Sequence, residues 1–155
     1  MDLSIEESRL KLEMFCAYQE RCVSEVKAKC VQLKISPDLQ EKLMKHLKEA
    51  GFLDETRFAE SYVSGKFRIK KWGKRKIYAG LRAKGVSSKL IIVALNVINQ
   101  DLYQETLLSL ASKKQKELSL KKDSLWEKKI KLTRFLLQRG YENDLVADAV
   151  EQVFK

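Results

Sequence analysis

The chain reads as all-α, three tandem three-helix repeats stacked into an elongated, curved array. Three observations predict this. Apolar residues recur at spacings of three and four almost throughout, with no sustained alternation of the kind a strand needs. Helix start and stop residues cut the chain into pieces of about ten to twenty residues. The pieces also repeat: with Gly85 set on Gly140, the residues Ile77, Leu81, Leu90, Ile91, Ala94, Leu95 and Ile98 fall on Leu132, Leu136, Leu145, Val146, Ala149, Val150 and Val153. A shift of 51 toward the N-terminus puts Val26, Cys30, Ile35, Ser36, Leu39, Leu43, Met44 and Leu47 on Ile77, Leu81, Val86, Ser87, Leu90, Ala94, Leu95 and Ile98.

Each repeated pair is preceded by a further helix, expected from Ser4 to about Gln19, from Asp54 to about Ile69 and from Asp101 to about Leu120. The units are therefore expected at residues 1–50, 51–99 and 100–155. In Ser36-Pro37-Asp38 the serine can cap, the proline occupies the first turn where its missing N–H does no harm, and the aspartate faces the positive helix end. Ala50-Gly51 ends that helix and Asp54-Glu55 opens the next. Gly73 and Gly85 punctuate the middle unit, Ser124-x-x-Glu127 has the spacing of a capping box, and Gly140 is a C-terminal stop. In the first unit Lys34 stands where the others carry glycine, and in the third Glu142 stands where Ser36 and Ser87 stand. One unit of about 50 residues is marginal alone and gains stability by stacking on its neighbour. The segment from Leu90 to Ile98 is apolar nearly all round, which predicts a helix covered from two sides. The terminal helix sets Glu142, Asp144, Asp148 and Glu151 beside an apolar stripe, as a cap on the array would.

Composition excludes several classes. The 155 residues are 45% hydrophobic with one proline and six glycines, so collagenous and proline-rich disordered chains are ruled out. The longest apolar run, Leu90 to Leu95, falls far short of the ~18 residues that suggest a membrane span. The N-terminal stretch is acidic and lacks the apolar core of a secretory signal, so a cytoplasmic protein is expected. Cys16, Cys22 and Cys30 fit neither a disulfide framework nor zinc-ligand spacing, and are read as reduced, mostly buried thiols.

Charge is unevenly placed. The chain carries 31 Lys+Arg against 21 Asp+Glu, a formal +10. By segment the net charge is −2 over residues 1–60, +15 over 61–139 and −3 over 140–155. From Lys66 to Lys84 there are nine cations and no acid. A surface that serves solubility mixes both signs, so this segregation points to an anionic partner. Lys66, Arg68, Lys70, Lys71, Lys74, Arg75 and Lys76 surround Trp72, a mixture suited to phosphate contact plus stacking. Phe67 and Ile77 lie on apolar faces and read as packing. Trp72, beside Gly73 at a helix junction, is open between packing and contact. A second stretch, residues 111–134, holds nine cations but also three acids, a weaker signal.

Catalytic apparatus is not legible. His46 has no His or Cys neighbour at ligand spacing, and no phosphate-binding glycine loop, H-E-x-x-H or G-x-S-x-G is present. Asp54-Glu55 is accounted for by capping and the helix dipole. A metal-dependent nuclease built on those two acids stays a third reading.

The string from Glu49 to Val63, with Gly-Phe-Leu-Asp-Glu at 51–55 and Arg-Phe-Ala at 57–59, followed by Gly73-Lys74-Arg75-Lys76-Ile77 and Leu81 to Val86, resembles the central signature of the RecX family, bacterial regulators of the RecA recombinase. The resemblance covers roughly residues 12–154. It implies a non-enzymatic, cofactor-free protein that binds the RecA nucleoprotein filament and restrains recombination, ATP turnover and coprotease activity, within DNA repair and the SOS response. The eight residues from Lys66 to Lys76 named above are then the candidates for contact with filament and DNA. Weak, sequence-independent binding of single-stranded DNA, no membrane association and a monomer are expected. Within that signature Phe52, Phe58 and Tyr62 are read as fixing the packing between units, Gly51 as the turn and Asp54 as the cap, and Arg57 is left either pairing with a nearby acid or facing the partner. A general basic helical module that binds nucleic acid without filament preference is the alternative.

Overall fold

A computed structural model describes residues 2–155, and among them the chain forms nine helices and no strand. They are α1 (Ile5–Tyr18), α2 (Val23–Gln32), α3 (Pro37–Glu49), α4 (Glu55–Arg68), α5 (Lys74–Ala83), α6 (Ser88–Leu95), α7 (Gln100–Ser119), α8 (Leu125–Gln138) and α9 (Asn143–Val153). No helix among the described residues is long and apolar enough to cross a membrane. The helices pack in three successive triples, α1–α3, α4–α6 and α7–α9, which makes the chain an all-helical repeat array.

Caps set the boundaries. The Ser4, Ser36 and Ser87 hydroxyls accept from the backbone N–H three residues on, and Asp54 accepts from the amides of Thr56 and Arg57. Each such bond satisfies a helix-end amide that would otherwise lack a partner. Helix α7 starts one residue earlier than expected, because Asn99 takes the Leu102 amide before Asp101 can act as the cap. At Ser124 only half a capping box forms: the hydroxyl accepts from the Glu127 amide, but it also engages the Glu127 carboxylate, which a full box would direct to the Ser124 amide.

The repeat is exact in its turns. After α2, α5 and α8 the chain closes with the same pair of reversed bonds. Ile35, Val86 and Tyr141 donate to the carbonyls of Cys30, Leu81 and Leu136, while Lys34, Gly85 and Gly140 donate to those of Val31, Arg82 and Leu137. This motif needs a left-handed residue at its centre. Gly85 and Gly140 supply it with φ of 84° and 97°, and Lys34 adopts it at φ 58°, a conformation that costs an ordinary residue ~1 kcal/mol.

Eight buried side chains, among them Leu12, Val26, Ile35, Leu43 and Leu47, form a first core that Leu53 completes. A second core runs without a break through the middle and last units, from Phe58 and Val63 to Leu132, Tyr141 and Val150, and takes in Cys22 of the first unit. The three cysteines are buried free thiols, and burial raises the Cys16 and Cys30 thiols above their ordinary range. The two joints between units differ in kind. Between the first and second, Val23 donates to the Glu55 carboxylate, Ser24 to the Lys84 carbonyl, and the ion pairs Arg57–Glu20 (3.1 Å) and Lys84–Glu25 (3.2 Å) close the contact.

Between the second and third units the backbones themselves meet. The Gly73 amide donates to the Arg139 carbonyl (2.7 Å) and the Arg75 amide to that of Gly140 (2.9 Å). A Cβ on Gly73 would collide with the backbone of Gly140 and Tyr141, and one on Gly140 with Lys76. Behind this crossing lie Phe67, Tyr103 and Tyr141, with ring centroids 5.7 and 5.2 Å apart in turn. The Tyr103 hydroxyl accepts from the Lys74 amide and donates to the Glu142 carboxylate, and the Tyr141 hydroxyl donates to the Lys71 carbonyl. Glu142 thus occupies a cap position without capping; its carboxylate holds a buried tyrosine instead.

The last helix of the middle unit departs from expectation. Helix α6 packs on α4 and α5 through Ile91, Ala94 and Leu95, but Ile92, Val93 and Val97 are 52, 58 and 75% exposed. It is covered on one side, because the third unit joins through the Gly73–Gly140 crossing rather than over α6.

Phe58 is buried beside Tyr62 in the second core. Phe58→Ala is expected to cost about 3–5 kcal/mol in a denaturant titration, with a negligible loss contradicting the packing. Burial, then the bond to Glu142, raises the Tyr103 hydroxyl above its ordinary value, and burial raises that of Tyr141. A raised folded-state value stabilises fully below the unfolded tyrosine value of about 10 and is lost as pH climbs past it. Stability should therefore fall above pH ~10. Tyr103→Phe should flatten that fall while lowering stability near neutrality by ~1–3 kcal/mol through the two groups left unpaired.

Candidate nucleic-acid interface

The cationic stretch occupies the end of α4, the loop after it and the first turn of α5, so it lies on the crossing between the second and third units. That crossing fixes its backbone. The Lys70 carbonyl accepts from the Arg139 guanidinium (3.0 Å) and the Lys71 carbonyl from Tyr141 (2.9 Å), while Lys71 itself is left-handed at φ 60°. With the Lys70 and Lys71 carbonyls held toward the third unit, the side chains of Arg68, Lys70, Lys71, Arg75 and Lys76 remain exposed.

Lys66 and Lys74 behave differently. Both are half-buried: the Lys66 ammonium lies 4.7 Å from the Trp72 ring centroid and 5.4 Å from that of Tyr62, and the Lys74 ammonium 4.8 Å from Tyr103. Lys76 reaches the Trp72 ring at 4.5 Å. Trp72 packs partly into the second core and its ring serves two ammonium groups. Such contacts position a cation without neutralising it.

Two electrostatic facts set the stretch apart. Among the described residues, none of these seven cations is in an ion pair, whereas the later lysine stretch is partly neutralised by Lys114–Glu117, Lys129–Glu151 and Lys131–Asp123. Lys74, Arg75 and Lys76 also fill the first turn of α5, which has no acid. Cations there oppose the positive end of the helix dipole, typically by ~0.3–1 kcal/mol each. The α5 amides at that end already donate to Tyr103 and Gly140. A bound anion is thus left to the side chains and not to a helix-terminus nest.

Other residues singled out from the sequence are placed plainly. Arg57 pairs with Glu20 and donates to the Gly51 carbonyl (2.8 Å), so it bridges the first joint at the surface. Asp54 caps, Gly51 turns at φ 80°, and Phe52 packs on the first core. His46 meets the Glu13 carboxylate at 2.6 Å. No group of His, Cys, Asp or Glu able to hold a metal occurs among the described residues.

Sequence reading passed over Trp126. It is 71% exposed at the start of α8, while Trp72 is half-buried. The signal was available in the repeat: the shift that sets Gly140 on Gly85 sets Trp126 on Lys71, an exposed position.

Two family models match this chain, the second three-helix domain of RecX over residues 54–95 and the third over residues 101–150. The regulatory protein RecX of Clostridium botulinum (strain Eklund 17B / Type B) is 36% identical over 111 residues, which is 72% of this chain and 51% of that protein. That of Clostridium acetobutylicum is 30% identical over 132 residues, 84% of this chain and 61% of that protein. The chain thus spans about half to three-fifths of the length of these two relatives. The crystal structure of RecX from Lactobacillus salivarius superposes with a TM-score of 0.86 at 25% identity, covering 97% of this chain and 96% of that one. Domain matches, relatives and superposition agree with the repeat read from the residues: the chain belongs to the RecX family.

Proposed function

We propose that this chain is a regulator of RecA that binds the RecA–DNA filament and restrains strand exchange, ATP turnover and coprotease activity, as part of DNA repair and SOS control in the cytoplasm. The observation that carries this reading is the run of seven cations between Lys66 and Lys76 with no ion-pair partner among the described residues. Arg68, Lys70, Lys71, Arg75 and Lys76 meet the anionic surface, Lys66 and Lys74 add field from behind, and Trp72 anchors the loop. The contacts are with phosphate and carboxylate and are sequence-independent, since the stretch spans a helix end, a loop and a first turn and offers no recognition helix that aims Asn, Gln or Arg at base edges. Three units, divided near residues 50 and 99, allow several weak contacts to add along a repeating partner. The protein works as a monomer, without cofactor or catalysis.

RecA-dependent ATP hydrolysis on single-stranded DNA should fall when the protein is added. Binding to RecA-coated DNA should exceed binding to bare single strands across a salt series, and equal affinity on both would leave only a general nucleic-acid module. Reversing Lys70, Lys71, Arg75 and Lys76 to glutamate should weaken binding and flatten the salt dependence by about 0.7 in log–log slope per lost phosphate contact on single strands. Helicity should be unchanged by circular dichroism, and unaltered binding would return these residues to a solvated face.

A further inference from the structure

The third unit carries an aromatic and cationic feature that the belt does not use. At the turn from α7 to α8, Leu120, Leu125 and Trp126 are 86, 57 and 71% exposed. Three large apolar side chains exposed at one turn are a candidate contact surface. The same turn is cationic. The Asp123 carboxyl is held below its ordinary value by the hydrogen bond from Lys131 and then by the charges of Lys131, Lys128 and Lys121, so three ammonium groups surround one acid. Lys122 is exposed beside them.

From Trp126 a groove of about 560 Å³ runs between α8 and α9. Ile130, Leu137, Ala147 and Val150 contribute its apolar lining, and Arg134, exposed and outside any ion pair among the described residues, stands on its edge. Its one acid, Glu151, is tied to Lys129 at 3.3 Å. At the far end lies Asn143, whose side-chain oxygen accepts from Arg75 of the belt at 3.4 Å. Trp126 and Leu137 are separated by eleven residues of helix, a rise of about 16 Å.

We infer that this groove is a second contact for single-stranded DNA, continuous with the belt through Arg75 and Asn143, in which a base stacks on Trp126 and phosphates meet Arg134 and the lysines of the α7–α8 turn. An exposed aromatic face flanked by Lys121, Lys122, Lys128 and Arg134, none of them in an ion pair among the described residues, is the pairing that single strands require, stacking for the base and charge for the backbone. An apolar peptide would use the floor but has no need of the lysine-rich tip. The inference rests on the reading that this chain works on filament DNA, and it places one DNA contact on the third unit, apart from the charge belt.

The test uses the full chain with a homothymidine oligonucleotide. In a Trp72→Phe variant Trp126 is the only tryptophan, and its emission should be quenched on titration with the bare oligonucleotide. By anisotropy, Trp126→Ala should lose about ten- to a hundredfold in affinity for the bare strand, while Trp126→Phe keeps most of it. Unchanged affinity in Trp126→Ala, or no change in Trp126 emission, overturns the inference. Loss of binding to RecA-coated DNA alone, with bare-strand binding intact, also overturns it, in favour of a protein segment in the groove. If wild type shows no preference for coated DNA yet Trp126→Ala loses the bare strand, the filament reading fails and this contact stands.

Discussion

Everything distinctive about the cationic stretch depends on the point where two glycines let the second and third units touch backbone to backbone. Gly73 and Gly140 leave no room for a Cβ on either side. That closeness lets the amides of Gly73 and Arg75 reach carbonyls of the neighbouring unit and places Tyr103 and Tyr141 to bond the loop from behind. A loop of like charges that repel one another has little reason to hold a single shape. Here the shape is imposed by Tyr103, 29 residues away in sequence, and by Arg139, Gly140 and Tyr141 in the third unit, and most of the charged side chains are left to face outward.

The same crossing explains how a local violation is tolerated. Three cations in the first turn of α5 oppose the helix dipole, and a left-handed Lys71 adds backbone strain. The continuous core of the two units offsets both, as buried Phe67, Tyr103 and Leu132 belong to one apolar mass. Residues that break local rules while the surrounding structure supports them are the pattern of a functional surface. The paired lysines of the third unit, such as Lys114 with Glu117, show what ordinary solvated charge looks like in the same chain.

Much of the fold was legible because its signals are local. Ser36-Pro37, Asp54 and Ser87 announce helix starts through bonds spanning two or three residues, and the alignment of Gly85 with Gly140 captures a turn whose bonds span three and five. The belt was legible as a charge run. What was not legible depends on which surfaces meet. The composition of Leu90 to Ile98 suggested burial on two sides, but composition does not say where the next unit docks, and Ile92 and Val93 stand open. The partner of Arg57 lies thirty-seven residues away in sequence. Trp126 was hidden by its neighbours, since acids interleaved among the lysines weakened the charge signal that drew attention to Trp72.

The polar joint between the first and second units gives the array an uneven stiffness. Beside the buried Cys22 its contacts are two partly exposed ion pairs and two single hydrogen bonds, and the ion pairs soften as salt screens them. The other joint is a close-packed, hydrogen-bonded seam that does not yield gradually. The contrast in contacts predicts a stiff two-unit bar with a more compliant leading unit. On a surface whose curvature differs from that of the array, the mismatch would then be taken up near Glu20, Glu25, Arg57 and Lys84, with the spacing between the belt and the third unit kept.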